Sequence, residues 1–244
     1  MPKWFSSLLC AGALLAPSVF AQTSPEGQRA AVAWIQVFGE IPATAAIEQT
    51  AKGGSIPAIA AALRQQLGRN EAAAREVAER AWADTFGPSR PFETGESSGP
   101  VSYLELVGAH LESLQTAPQN RRALIDAAYT AVLGRQAYDI EHDYWLGRPP
   151  IPFLLVTACL DDWARRNQPG LMATAGPPCI PVDSRRIRTL RLAPAIATEA
   201  RALLHGDASD GALALARGES VLAPGAAGII SVGGIPFLAV SRNN

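Results

Sequence analysis

The sequence predicts a mainly α-helical chain of three degenerate helix-pair repeats, followed by a loop and helix linker and a short β-rich C-terminal segment. Three segments, residues 31–39, 79–87 and 126–134, share a small residue, an aromatic residue and a closing glycine. Their aromatic residues Trp34, Trp82 and Tyr129 are spaced 48 and 47 residues apart. Such a period is typical of helical repeat proteins, in which each unit buries its apolar face against its neighbours.

A second apolar block follows each of these segments. It starts at residue 55, 102 or 152 and carries apolar residues at i, i+3 and i+7 or i+8. This spacing is that of a helix lying on a core. The unit is therefore helix, glycine, loop and second helix, and residues 22–170 form the predicted repeat domain. The second helices are led by Ile56, Tyr103 and Phe153.

The ends of the first helices are also marked in the sequence. Ser24-Pro25 and Asn70-Glu71 supply a capping side chain followed by a good first-turn residue, so helices are expected to start there. Gly39, Gly87 and Gly134 are expected to take the left-handed conformation that ends a helix. The aromatic residues five positions earlier then lie on the inward face, as core residues.

The third unit contains the sequence LGRQAYDIEHDYW at residues 133–145. It resembles the leucine-glycine-arginine and tyrosine-tryptophan signature of the bacterial domain-of-unknown-function family 4214, whose pattern is similar to one in phycobilisome linker polypeptides. The chain departs from that pattern at Ala137-Tyr138 and at Glu141. The resemblance, best over residues 126–160, implies a helical interaction module of secreted and surface proteins, without established catalysis. The matching residues are Leu133, Gly134, Arg135, Tyr144 and Trp145.

Three residues of this stretch suggest a metal site as an alternative. Asp139, His142 and Asp143 share one helical face, and imidazole with carboxylates suits zinc or manganese. A metal-dependent hydrolase would use them. The simpler interpretation is a solvated helix face, because a further ligand would have to come from elsewhere in the chain. No catalytic or cofactor-binding constellation is otherwise evident.

A second alternative is a periplasmic protein that binds a glycan or another small ligand. Trp34, Trp82, Tyr144 or Trp145 would then serve as stacking platforms. This alternative requires that the rings be exposed, whereas the repeat interpretation places them in the core.

The first 21 residues predict export. Lys3 precedes an apolar run that extends to Phe20, and small residues stand before the expected cleavage after Ala21. Pro17 interrupts the run, which is shorter than the ~20 residues of a membrane span. The mature chain is expected to have no transmembrane segment and to reside in the periplasm, outside the cell or on its surface.

Composition limits the possible partners. Without Lys3 the mature chain carries 20 basic and 22 acidic residues, a formal charge of −2. This balance argues against nucleic acid as a partner, which would call for a basic excess. Hydrophobic residues make up 48% of the sequence, as in an ordinary folded domain.

Two cysteines remain after cleavage, Cys159 and Cys179. In an oxidising compartment an isolated pair is most simply a disulfide. The alternative is that Cys159 is a buried free thiol.

The chain beyond residue 170 has a different character. Residues 171–218 form a Pro- and Arg-rich linker with one helix that begins at Pro194. Its four clustered arginines, Arg185, Arg186, Arg188 and Arg191, lie on a possible strand and form either a solvated face or an anion-binding stripe.

Residues 219–244 form a β-rich tail with three glycine-containing octads, 221–228, 229–236 and 237–244. These octads resemble the glycine-rich tails of some bacterial secreted proteins. Such short strands either dock on the body of the protein or add to a partner's sheet. The sequence as a whole favours a non-catalytic interaction and assembly module of the bacterial envelope or surface, with a protein partner or a second copy as its ligand.

Export can be checked directly. We expect the mature protein to begin at Gln22, because signal peptidase cleaves after small residues such as Ala21. N-terminal sequencing of protein recovered from the periplasm or the medium measures this. Mature protein that still carries Lys3 would contradict the prediction.

Overall fold

The computed structural model describes residues 24–40, 46–47, 50, 54–88, 90–92, 101–166, 187–204, 213–215, 220–222, 228–232 and 235–241. The predicted signal peptide lies outside these residues, as does Cys179. The described part is mainly helical, as predicted. Its helices are α1 Pro25–Phe38, α2 Ile56–Leu67, α3 Glu71–Phe86, α4 Tyr103–Thr116, α5 Pro118–Leu133, α6 Asp139–Leu146, α7 Phe153–Arg166 and α8 Pro194–Leu204.

Five short strands follow in the second half of the chain. They are β1 Ile187–Arg191, β2 Leu213–Leu215, β3 Ser220–Leu222, β4 Gly228–Val232 and β5 Ile235–Ser241. They pair antiparallel in the order β1-β5-β4-β3-β2. Leu238 of β5 pairs with Leu190 on one side and with Ile229 on the other. The strands do not follow the octads, because β5 crosses from the second octad into the third.

The helices pack mainly in three pairs. Helix α1 packs against α2, α3 against α4 and α5 against α7. These are the first and second helices of the three predicted units. Lesser contacts join α1 to α4 and α3 to α7, so the second helix of the second and third pairs also touches the first helix of the pair before it.

The predicted helix starts are confirmed. Ser24 Oγ accepts a hydrogen bond from the amide of Gly27 at 3.1 Å, and Asn70 Oδ1 accepts one from the amide of Ala73 at 3.1 Å. Each bond satisfies a first-turn donor that has no partner within the helix.

The glycines that end the first helices follow the prediction in two cases of three. Gly39 (φ 73°, ψ 15°) and Gly134 (φ 70°, ψ 17°) are left-handed. Gly87 has φ 91° but ψ 158°, so the chain leaves α3 in an extended direction instead. That region of backbone conformation is open essentially only to glycine, so the position still requires it.

Two of these glycines receive an aromatic ring from the next pair. A Cβ added to Gly39 would lie 2.6 Å from Cγ of Tyr103, the first residue of α4. A Cβ added to Gly87 would lie 3.0 Å from Cδ2 of Phe153, the first residue of α7. A side chain at either position would therefore displace a ring that is buried in the core.

The contact at Gly39 is reinforced by polar groups. The hydroxyl of Tyr103 donates to Oδ2 of Asp84 on α3 at 2.7 Å. Burial disfavours the charged form of this carboxyl and raises the pKa of Asp84 to about 6. Arg80 of the same helix donates to the carbonyl of Phe38 at 2.7 Å, at the end of α1, so α3 and α4 together hold that helix end.

The aromatic residues of the first helices were predicted to be core residues. Trp82 and Tyr129 are buried, as expected. Trp34 is only partly buried, because it lies at the edge of the core, where its indole N–H donates to Thr50 Oγ1 at 3.1 Å.

Helix α8 covers the outer side of the first pair. Its Glu199 pairs with Arg29 of α1 at 2.9 Å and accepts a bond from the amide of Ile56 at 3.4 Å. Ile196, Ala197 and Ala200 bury the apolar face of α8. No helix within the described residues has the length and apolar character needed to span a bilayer.

Substitution of the glycines separates the ring contact from backbone strain. Gly134→Ala incurs only the cost of a positive φ, about 1 kcal/mol. Gly39→Ala adds the overlap with Tyr103, and overpacking of this kind costs about 1–3 kcal/mol more. Denaturant unfolding of the two variants should therefore give a larger loss for Gly39→Ala. Equal losses would mean that the ring moves aside without cost.

Candidate functional site

The third helix pair differs from the other two at the end of α5. The amide of Gly134 donates to the carbonyl of Thr130 at 3.1 Å and closes the helix. A Cβ added to Gly134 would meet nothing within 4 Å. The glycine is exposed, whereas Gly39 and Gly87 are buried. The position that receives a ring in the first two pairs is therefore open in the third.

An ion pair between the partly exposed Arg135 and the buried Glu141 fixes the chain after Gly134. Both terminal nitrogens of Arg135 donate to the carboxylate of Glu141, at 2.7 and 2.8 Å. Glu141 is fully buried and also accepts a bond from the amide of Tyr138 at 2.8 Å. The hydrogen bonds to Glu141 raise the pKa of Arg135, so this arginine stays charged. The two-point geometry holds the turn between α5 and α6 in one conformation.

A second polar contact joins α6 to α5. Oδ1 of Asp126 lies 3.1 Å from Nε2 of His142 and accepts a bond from the amide of Ala137 at 3.1 Å. Asp126 thus holds both the loop and the short helix against α5.

The predicted metal residues do not form a ligand set. Asp139 and Asp143 are exposed, whereas His142 is buried and directed at Asp126. Within the described residues, no group of three or more histidine, cysteine, aspartate or glutamate side chains is placed to hold a metal ion. The structure therefore separates the buried His142 from the two exposed aspartates.

The tyrosine and tryptophan on which the resemblance to family 4214 depends are core residues here. Tyr144 and Trp145 are buried, and the indole N–H of Trp145 donates to the hydroxyl of Tyr129 at 3.2 Å. Burial raises the pKa of the Tyr129 phenol, which keeps its proton. Because Trp82 is buried as well, three of the four proposed stacking platforms have no face to offer a sugar, which argues against the glycan alternative.

Two arginines bind carbonyl groups at the C-terminus of α6. Arg121 donates to the carbonyls of Trp145 and Arg148, at 2.9 and 2.7 Å. Arg148 lies over the ring of Tyr144 at 3.6 Å and donates to its carbonyl. Positive charge at a helix C-terminus is favourable. Because Arg121 belongs to α5, its bonds also fix the orientation of α6 on α5.

Two large apolar side chains are exposed on the outer surface of this region. Tyr138 is 53% exposed and Ile140 is 46% exposed, and within the described residues they are the exposed large hydrophobic side chains. The guanidinium of Arg135 lies 4.3 Å from the Tyr138 ring centre and supports that ring from one side. We name the exposed residues Gly134, Tyr138 and Ile140, with the neighbouring Thr130 and Ala131, the α5-end surface.

No family model matches this chain, and comparisons with curated proteins and with solved structures found no match. The resemblance to family 4214 therefore rests on the residues of the third unit.

The sequence did not identify Asp126, Glu141 and Arg121 as parts of this region. One signal was present, because Tyr138 and Glu141 are three residues apart, the spacing at which a side chain of the first turn reaches back to the residue before the helix. The contacts of Arg121 span 24 and 27 residues, and no local pattern predicts them.

Loss of the partner of the buried Glu141 carboxylate should be costly. Arg135→Ala leaves the Glu141 carboxylate buried without its guanidinium partner, and we expect it to reduce the free energy of unfolding by about 2–4 kcal/mol. Arg75→Ala is the matched control, because its ion pair with Glu79 is exposed and such pairs contribute under about 1 kcal/mol. Denaturant titration of both variants measures the difference. A loss for Arg135→Ala no larger than that of the control would contradict this account.

Proposed function

We propose that this protein is a non-catalytic, exported interaction and assembly module of the bacterial envelope or cell surface. In this proposal the body consists of three degenerate helix-pair repeats and is followed by a β-rich C-terminal segment. The observation that carries the proposal is the α5-end surface, where Tyr138 and Ile140 are the exposed large hydrophobic side chains of the described residues.

The packing of the helices supports the repeat. Each first helix packs mainly on the second helix of its own unit. The ring that leads a second helix rests on the glycine that ends the preceding unit's first helix, at Gly39 and again at Gly87. Two contacts of the same chemistry at corresponding positions favour a repeated interface over two unrelated ones.

The α5-end surface supports a binding role. Helical repeats bury apolar faces against one another, and terminal repeats need a polar cap to remain soluble. The third unit instead presents Tyr138 and Ile140 beside an open glycine. Exposed aromatic and aliphatic side chains on a rigid support are typical of protein interaction sites.

The rigidity of this surface supports binding as well. The Arg135–Glu141 pair and the contacts of Asp126 hold the turn in place. A surface that is already ordered loses little conformational entropy when a partner docks.

Export and the disulfide remain parts of the proposal. The sequence of the first 21 residues supports export. Cys159 is buried on α7, and the proposed bond to Cys179 would attach the linker to the helical body. Either a protein of the envelope or a second copy of the chain would be present as a partner in the compartment to which the protein is exported.

Site-specific crosslinking in cells tests the binding role. A photoreactive phenylalanine analogue at position 138 should give adducts of defined mass, because Tyr138 is expected to lie within the interface. The same analogue at Gln65, on the exposed side of α2, is the control and should give none. Equal adduct formation at both positions, or none at either, would contradict the assignment of the α5-end surface.

A further inference from the structure

We propose that the partner of the α5-end surface is a second copy of this chain. Two copies meet through their α5 ends around a twofold axis, and Tyr138 of each copy packs on Gly134 of the other. This inference rests on the proposed function, of which it names the partner.

The chemistry of the contact is taken from the chain itself. At the two internal junctions an aromatic ring lies where a glycine Cβ would otherwise be, Tyr103 on Gly39 and Phe153 on Gly87. Gly134 ends α5 with nearly the same dihedral angles as Gly39. A ring packed on Gly134 would therefore continue an interface that the protein already uses twice.

The α5-end surface offers both halves of this contact. It provides the open glycine and, four residues later, the exposed ring of Tyr138. Because a twofold interface brings the same surface of each copy together, it needs a patch that complements itself. A patch that holds both an open glycine and an exposed ring meets this requirement, and Ile140, two residues after the ring, adds exposed apolar area.

The opposite end of the helical body disfavours a head-to-tail chain. A filament would place Gly134 of one copy against Ile56 of the next, since Ile56 leads the second helix of the first unit. Ile56 is fully buried, and Glu199 of α8 accepts the bond from its amide. Helix α8 would have to detach from the first pair before a second copy could dock there. Association therefore uses only the α5 ends, and two copies joined in this way leave no further site for a third.

Charge modulates the dimer without preventing it. Asp139 and Asp143 are exposed next to the α5-end surface and would approach their counterparts across the axis. At 0.1 M salt, repulsion between exposed acids is weakened and is largely screened beyond about 10 Å, whereas at lower salt it acts over longer distances. The dimer should therefore be tighter at moderate than at low ionic strength.

Analytical ultracentrifugation of the purified mature protein over a wide concentration range, at low and moderate salt, tests the inference. The wild-type chain should show a monomer–dimer equilibrium. Tyr138→Ser should weaken dimerisation about tenfold or more, as loss of a central aromatic contact does. Serine suits the position before α6, so the helix is retained.

A second variant tests the open position at Gly134. Gly134→Asn tolerates the left-handed backbone but places a side chain where the partner's ring would lie, so it should also give monomers. Gly54→Asn is the matched control, since Gly54 has φ 90° and nothing within 4 Å of an added Cβ. It should leave dimerisation unchanged, as should Gln65→Ser. Circular dichroism and melting curves verify that all four variants are folded.

Three results would overturn the inference. These are a wild-type chain that stays monomeric, assemblies that grow beyond the dimer with concentration, and a dimer that survives both Tyr138→Ser and Gly134→Asn. If the chain is monomeric while position 138 still crosslinks in cells to a different protein, the second copy is the wrong partner and the proposed function stands. If position 138 gives no adduct at all, the proposed function fails as well.

Discussion

The packing of an aromatic ring on a helix-ending glycine is the contact on which the helical body depends. Tyr103 on Gly39 and Phe153 on Gly87 set how closely each second helix approaches the preceding pair. A side chain at either glycine would push the pairs apart and uncover apolar surface along both helices. One small residue at each junction therefore decides whether a much larger area of core can form.

The two ends of the helical body differ in how far they are covered, and this difference leads to the proposed function. The first pair is covered by α8, which supplies Glu199 to Arg29 and to the amide of Ile56. At the third pair, the ion pair of Arg135 with the buried Glu141 orders the turn that follows Gly134. The turn leaves Tyr138 and Ile140 exposed. A rigid but uncovered end is what an assembly module requires, whether the partner is another protein or a second copy.

Sequence reasoning predicted the features that depend on nearby residues. The starts at Ser24 and Asn70 and the glycine ends at Gly39 and Gly134 involve contacts within one turn of helix, so local pattern suffices for them. The burial of Trp82 and Tyr129 followed from helical periodicity.

The features that the sequence did not predict depend on distant parts of the chain. Gly87 leaves its helix in an extended direction, and the ring of Phe153 from α7 packs against it. Trp34 lies at the edge of the core, which periodicity alone does not reveal. Glu199 reaches α1 and α2 across more than 140 residues. The partner of Glu141 was missed because a lone acid in a helix looks solvated until its arginine is known.

A double-mutant cycle between Gly87 and Phe153 tests the central claim most directly. The free energy of unfolding is measured for the wild type, Gly87→Ala, Phe153→Ala and the double variant. If the ring occupies the space of the missing side chain, removal of the ring makes room for the new methyl group. The double variant should then lose about 1 kcal/mol or more less than the sum of the single losses. Strictly additive losses would show that ring and glycine do not contact each other, and would contradict the account.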